Sequence, residues 1–310
     1  MKEYNYGIAV HGGAGTILRS LMTEEKEQAY KAALKEAIES GYQILEKGGT
    51  ALQAVEQAII SLENCPLFNA GKGSVFNAQG KHEMDASIME GNTLHAGAIA
   101  AVPGVKNPIA LAHKVLTESD HVLLVGEGAL QFGRLHGISE EKEEYFFSQQ
   151  RYDQWQKIKD TNSFQLDHTE KKPKNLGTVG AVALDKNGNL AAGTSTGGMT
   201  NKKYGRIGDS ALIGAGTYAN NKTCAISCTG SGEYFMRGVT AYDISALMEY
   251  KGMSLEQASN EAILHTLTAL GGDGGVISID RKGNISMPFN CEGMYRALQN
   301  KSKQEVKIYK

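Results

Sequence analysis

Four short stretches of the sequence carry side chains that could do chemistry. Gly193-Thr194-Ser195-Thr196-Gly197 matches the G-x-S-x-G nucleophile elbow, and His11-Gly12-Gly13 would supply the oxyanion loop of a serine esterase. An elbow needs a strand, a sharp turn and then a helix, yet Gly198, Gly205 and Gly208 follow here and disfavour one. The only histidine after Ser195 is His265, inside a predicted helix, whereas a triad histidine belongs on a loop. Gly230-Ser231-Gly232 precedes an apolar helix predicted over 231–250 and would offer free N–H groups to a carboxylate or an oxyanion. Arg206 and Asp209 share a loop bracketed by glycines. Together they suit a zwitterion, since arginine pairs a carboxylate bidentately and aspartate accepts from an ammonium. Finally, Gly177-Thr178 sits between a charged, aperiodic segment and an apolar strand. Cleavage there frees an α-amino group of pKa about 7.7–8.0, a usable base at neutral pH. A threonine hydroxyl beside its own terminal amine is an activated nucleophile.

Other chemistries find no pattern. There is no G-x-x-x-x-G-K-[ST] loop, no H-E-x-x-H and no C-x-x-C pair, and the eight histidines are dispersed. Cys224 and Cys228 fall four apart on a predicted strand, the spacing of buried residues on one face.

The elements that must position these residues are legible from periodicity. A strand near Tyr6–Val10 leads into His11-Gly-Gly, and a helix is predicted from Thr23 to about Lys47 with Tyr30, Leu34, Ala37, Ile38 and Leu45 on one face. Thr50 and Gln53 form a capping box for the next helix, which ends near Asn64. Short strands follow near 74–77, 83–90 and 94–102, and Asn107-Pro108 opens another helix. A helix with an acidic first turn is predicted in the first half of 139–176, and a mobile linker over about 160–177. Two hairpins, 178–184 with 190–196 and 276–280 with 285–289, flank a strand near 223–229, the helix 231–250, and a helix capped by Ser254 and Gln257. Val179 and Ala181 to Leu184 are apolar on consecutive positions, so their sheet is covered on both faces. Antiparallel strands covered on both faces need a second sheet on one side and helices on the other. The fold class expected is therefore α+β: a single-domain, four-layer αββα sandwich of two antiparallel sheets over residues 1–310.

Composition narrows the setting. The 310 residues include 37 glycines but only 5 prolines, and the formal net charge is −2. That excludes collagen and proline-rich disorder, and leaves no basic footprint for nucleic acid or a membrane surface. The four cysteines form no dense framework, which suits a reducing cytoplasm. No glycine lies between Gly137 and Gly177, while nineteen fall in 178–310 around the candidate residues.

These motifs together resemble the plant-type L-asparaginase/isoaspartyl peptidase family of N-terminal-nucleophile hydrolases. The resemblance rests on His11-Gly-Gly-Ala-Gly, Asn64-Cys-Pro-Leu-Phe-Asn-Ala-Gly71, Glu83-Met-Asp-Ala86, Gly177-Thr-Val-Gly-Ala-Val182, Thr194-Ser-Thr-Gly-Gly-Met-Thr-Asn201, Gly205-Arg-Ile-Gly-Asp-Ser210 and Pro288-Phe-Asn through Glu292-Gly-Met-Tyr-Arg296. It implies self-cleavage at Gly177–Thr178 into an α chain, 1–177, and a β chain, 178–310. Thr178 would then hydrolyse L-asparagine and β-aspartyl dipeptides. By the same resemblance Thr196 holds the nucleophile, Arg206 clamps the substrate carboxylate and Asp209 its ammonium. Thr229 and Gly230 line the oxyanion hole, with Gly232 beside them, and Asn69 lies near the nucleophile. The family needs no catalytic cofactor. Its loop 62–72 implies a structural sodium ion on the main-chain carbonyls of Leu62, Glu63, Cys65, Phe68, Ala70 and Lys72, an all-oxygen set suited to a hard cation. The assembly implied is an (αβ)2 dimer of cleaved heterodimers. Two other classes stand beside this expectation: a silent amino-acid binder using Arg206 and Asp209, and the serine esterase using Ser195.

Overall fold

In a computed structural model, which describes residues 4–161 and 177–310, two sheets lie face to face with helices on their outer sides. The large sheet collects β1 (Gly7–Gly15), β2 (Met84–Glu90), β3 (Ala96–Val102), β4 (Leu123–Val125), β5 (Val179–Leu184), β6 (Leu190–Thr196), β11 (Gly293–Asn300) and β12 (Gln304–Tyr309). They lie in the order β12-β11-β1-β5-β6-β2-β3-β4. The small sheet runs β10-β9-β8-β7, with β7 (Thr217–Ala219), β8 (Cys224–Gly230), β9 (Gly274–Asp280) and β10 (Ile285–Ser286). Every pair in these ladders is antiparallel except β3–β4, which is parallel, so the large sheet is not purely antiparallel as expected. The return to parallel is made through a helix, the connection a parallel pair requires.

Strand alternation divides the interior into three cores. Val179, Ala181 and Ala183 of β5 face α1 (Glu24–Glu46) and α2 (Ala51–Glu63), together with Ile8 and Val10 of β1. Val182 and Leu184 face the other way, meeting Ala225 of β8 and Ile277 and Ile279 of β9 between the sheets. Cys224, Ile226 and Cys228 point outward from the small sheet onto α8 (Thr240–Lys251) and α9 (Leu255–Asn260). This accounts for the two strand cysteines as core residues. The layered mixture of sheets and helices thus follows from residues that are apolar on both faces of a strand.

Several helices begin where capping chemistry puts them. The Thr50/Gln53 and Ser254/Gln257 capping boxes are both formed, and Pro108 opens α3 (Pro108–Glu118). Three expectations need correction. The helix predicted over 231–250 is broken into α7 (Gly232–Gly238) and α8 by Val239, which takes the left-handed conformation with φ 47°. That conformation is costly for a β-branched residue. It lets the first amides of α8 bond outward, Ala241 N to Ala215 O at 3.2 Å and Tyr242 N to Gly214 O at 2.8 Å. Residues 74–77 form no strand, because their backbone is tied elsewhere: Val75 N donates to Asn69 Oδ1, and Asn201 N to Phe76 O. Segment 139–156 holds two short helices, α5 (Glu143–Phe146) and α6 (Gln149–Gln156), following α4 (Gly126–Leu135). The linker expected at about 160–177 lies largely outside the described residues.

Ile59 on α2 is fully buried in the core between the helices and the large sheet. Ile59→Ala should destabilise the protein by about 2–5 kcal/mol. A lowered urea midpoint with an unchanged m-value is the expected result.

Candidate active site

The space between the sheets is apolar along most of its length and polar at one end. On β6, Leu190 and Ala192 face inward among apolar neighbours, and the next two inward positions are Thr194 and Thr196. On β5 the inward series runs Leu184, Val182, Gly180 and then Thr178, just before the strand. On β8 it runs Ala225, Ser227, Thr229. The period of two along a strand therefore brings five polar residues of three strands into one layer.

Thr178 sits at the centre and is 6% exposed. Its Oγ1 donates to Thr196 Oγ1 at 3.1 Å, and Thr196 Oγ1 also accepts from Gly198 N at 3.0 Å. The Gly177 carbonyl, immediately before Thr178, accepts from Asn69 N at 3.0 Å. The Asn69 side chain is used for building rather than for contact with Thr178: Nδ2 donates to Gly198 O at 2.7 Å and Oδ1 accepts from Val75 N at 3.0 Å. Asn69 is thus close to the nucleophile through its backbone, while its side chain ties the loop after α2 to the loop after β6.

A second cluster lies at the turn after β6. Arg206 and Asp209 both press on Gly232, where a Cβ would lie 2.8 Å from Asp209 Oδ1 and 3.1 Å from Arg206 Nη2. Only glycine leaves room there. Burial pushes the Asp209 carboxyl up to about 7, against the pull of the Arg206 guanidinium. Asp209 Oδ2 and Thr229 Oγ1 are buried without a hydrogen-bond partner among the described residues. A buried polar atom without a partner calls for an explanation, and completion by a ligand is one. Arg206 donates through Nε (2.9 Å) and Nη2 (2.8 Å) to Glu233 Oε1, a partner that sequence reasoning missed. Gly230 ends β8 opposite Gly274. The expected anion site at 230–232 is the start of the seven-residue helix α7 and is shared with Arg206 and Asp209.

The hydroxyl of Ser195 is elsewhere. It lies on the opposite face of β6 from Thr194 and Thr196, fully buried against the helices, and donates to Glu63 Oε1 at 2.6 Å. Glu63 also accepts from Ile109 N at 2.9 Å and Asn107 Nδ2 at 3.1 Å. Burial pushes its carboxyl up to about 8, and those hydrogen bonds pull the other way. Ser195 is fully buried and pinned to a carboxyl beneath the sheet, with no histidine bonded to it among the described residues, which overturns the esterase expectation.

The loop after α2 is tightly folded: a Cβ on Gly71 would lie 2.5 Å from the Glu63 carbonyl oxygen, and one on Gly73 2.0 Å from that of Phe68 and 2.7 Å from that of Pro66. Some of the expected oxygens also accept amides: Leu62 O from Cys65 N, Phe68 O from Ala70 N, and Ala70 O from Gly73 N. A carbonyl with two lone pairs can serve both partners.

Sequence reasoning also missed Ser227, Thr217, Ser87 and the side-chain role of His11. Ser227 and Ser87 could have been suspected from polar residues at alternate positions, with Thr229 and Asp85, whereas Thr217 and His11 carry no such recurrence in their strands.

Comparison with known proteins agrees with this arrangement. A family model described as Asparaginase matches residues 4–308. The isoaspartyl peptidase of Salmonella typhimurium is 52% identical over 293 residues, covering 94% of each chain. That of Escherichia coli is 51% identical over 294 residues, covering 94% of this chain and 91% of its own. A plant-type L-asparaginase of Pyrococcus horikoshii is 44% identical over 314 residues, covering 96% of this chain and 97% of its own.

Ser195→Ala should leave turnover close to the parent while lowering stability by about 1–3 kcal/mol, because Glu63 loses a buried partner. Parallel steady-state assays and thermal melts check both halves of that expectation. With Thr178 and Thr196 paired between two sheets and its residues matched from end to end, the chain belongs to the asparaginase family.

Proposed function

We propose that the protein is a self-processing amidohydrolase of the N-terminal-nucleophile type that acts on L-asparagine and β-aspartyl peptides. The observation that carries this reading is the Thr178 hydroxyl, buried 3.1 Å from Thr196 Oγ1 and directly following a carbonyl held by the Asn69 amide. Its relatives' names, isoaspartyl peptidase and plant-type L-asparaginase, supply the substrate class.

In the processing step Thr178 Oγ attacks the Gly177 carbonyl carbon. Negative charge develops on the oxygen that Asn69 N–H already contacts, the arrangement of an oxyanion donor. The C–N bond breaks, the nitrogen takes up the hydroxyl proton as an amine, and Gly177 is left esterified to Thr178. Water hydrolyses that ester, releasing 1–177 with a carboxylate and 178–310 with a free amine. In turnover the amine takes the proton of Thr178 Oγ as it attacks the side-chain amide carbon. The α-ammonium so formed gives that proton to the leaving nitrogen, which departs as ammonia or as the amine of the cleaved peptide, and water then hydrolyses the β-aspartyl ester to aspartate. Thr196 holds the nucleophile. Thr229 and Gly230 face the oxyanion, with preorganised donors of this kind worth about 3–4 kcal/mol each. Arg206 takes the α-carboxylate and Asp209 the α-ammonium. That assignment gives the buried Asp209 Oδ2 and Thr229 Oγ1 their partners.

We propose in addition that loop 62–72 holds a sodium ion through its carbonyls, which would lend the Asn69 loop rigidity and no chemistry. Four unpaired cysteines suit a cytoplasmic location, and no described helix is long and apolar enough to cross a membrane. An (αβ)2 dimer is the assembly expected.

Intact mass and a denaturing gel of purified protein should show two fragments meeting between Gly177 and Thr178. Thr178→Ala should remain one chain without activity. A parent chain that stays whole and inert after long incubation would overturn the reading and leave an amino-acid binder. Arg206→Ala should raise KM by about 10–100-fold, the equivalent of losing a charged hydrogen bond of about 1.5–3 kcal/mol.

The ionised form of Asp209 accepts from the ammonium, and burial raises its pKa to about 7. Affinity should therefore weaken as pH falls through about 7, as the carboxylate becomes protonated, and level off above it. A profile of 1/KM for asparagine between pH 5 and 9 checks the sign.

A further inference from the structure

His11 is fully buried on β1, directly opposite Gly180 of β5, with its ring in the layer between the sheets. Its Nδ1 lies 3.1 Å from the Thr178 carbonyl oxygen and its Nε2 2.9 Å from Ser227 Oγ. A carbonyl oxygen can only accept, so Nδ1 must carry the proton. Burial holds the imidazole neutral, down to about 3. Nε2 is therefore the acceptor and Ser227 the donor. Ser227 Oγ in turn lies 2.7 Å from Thr194 Oγ1, Thr194 2.6 Å from Thr217 Oγ1, and Thr217 2.8 Å from Ser87 Oγ. With its own proton on the imidazole, Ser227 can only accept from Thr194. Thr194 and Ser87 also lie 3.2 and 2.6 Å from the carbonyls of Gly216 and Ser210, so the cluster is held by backbone acceptors as well as by its own hydroxyls. Gly180 makes the arrangement sterically feasible, since a Cβ there would overlap both Ser227 Oγ and His11 Nε2.

We infer that His11 is a positioning residue for Thr178, its Nδ1–H fixing the Thr178 carbonyl while its Nε2 accepts from the Ser227 hydroxyl. This rests on the reading of Thr178 as the nucleophile. Thr178 precedes β5, so the ladder does not hold it as it holds Val179 and the residues after it. The His11 bond fixes its carbonyl and with it the rotation about Cα–C. The Thr178 amide side is set by Gly177 on Asn69. Between these two anchors the Cα–Cβ direction is determined, and Oγ1 is delivered to Thr196. Once the Gly177–Thr178 bond is cut, the Asn69 anchor no longer acts on Thr178. Among the described residues the imidazole is then the remaining hydrogen bond to the main chain of the nucleophile itself. A displacement of about 1 Å at a reacting atom can cost about 10²-fold in rate.

The test compares His11→Leu, His11→Asn and Thr178→Ala with the parent, measuring the rate of chain cleavage by intact mass and kcat and KM per cleaved molecule. His11→Leu should slow both cleavage and kcat by about 10²-fold and leave KM within about threefold, because Arg206 and Asp209 are untouched. His11→Asn places an amide N–H where Nδ1 stood and should recover most of the lost kcat. A folded His11→Leu with parental cleavage and kcat overturns the inference, as does an Asn variant no better than Leu. Should the Leu variant fail to fold, 15N-labelled parent protein decides the matter: a neutral ring protonated on Nδ1 supports the proposal, and one protonated on Nε2 overturns it. Activity in Thr178→Ala would instead refute the nucleophile itself, so the two failures are distinguishable.

Discussion

Two sheets stacked face to face leave a thin buried layer, and polar groups placed there are stabilised by partners within the protein. An unpaired buried hydroxyl or amide costs roughly 1–3 kcal/mol. Along most of the layer the problem does not arise, because Ala9, Val182, Ala192, Ala225 and Ile277 fill it. At one end six strands contribute hydroxyls, an imidazole and a glycine, and a string of contacts runs from Ser87 to the carbonyl of Thr178. Ser87 also reaches the carbonyl of Ser210, the residue after Asp209, at 2.6 Å. The position of the nucleophile, the tautomer of His11 and the small size of residue 180 all answer to this one demand for satisfied hydrogen bonds in a buried layer.

The helix side of the large sheet meets the same demand differently. Glu63, at the end of α2, receives the Ser195 hydroxyl, the amide of Ile109 in the first turn of α3, and Asn107. A carboxyl at a helix N-terminus is favourably placed for its negative form, which offsets part of the cost of burial. Ser195 sits between Thr194 and Thr196, so this cluster braces β6 from beneath. It also fixes the start of the loop that carries Asn69 to Gly177. One strand therefore presents alternate residues to two tasks: Thr194 and Thr196 to the site, and Ser195 to its support.

Some of this was legible in the primary structure because it is local. The capping boxes at Thr50 and Ser254 mark helix starts through contacts three residues apart, and Pro108 marks another. Apolar residues on both faces of 179–184 announced a sheet covered on both sides. The break at Val239 was not legible, since it depends on amides of α8 reaching the Gly214–Gly216 loop more than twenty residues away. Nor was the fate of residues 74–77, whose backbone partners are Asn69 and Asn201. The parallel β3–β4 pair likewise depends on where an intervening helix packs.

Sequence alone determined which residue types were available: a threonine after a glycine at the end of a charged stretch, an Arg/Asp pair in a glycine-rich loop, and a motif set that identifies the family. Motif matching by itself left Thr178 and Ser195 as rival nucleophiles, because a G-x-S-x-G pattern does not say which way its serine points. Only the tertiary structure decided that. Strand alternation turns Thr196 toward Thr178 and Ser195 toward Glu63, and which face becomes the site depends on where the second sheet packs. His11 gained its part in the same way, from a pairing 167 residues apart along the chain that no local spacing encodes.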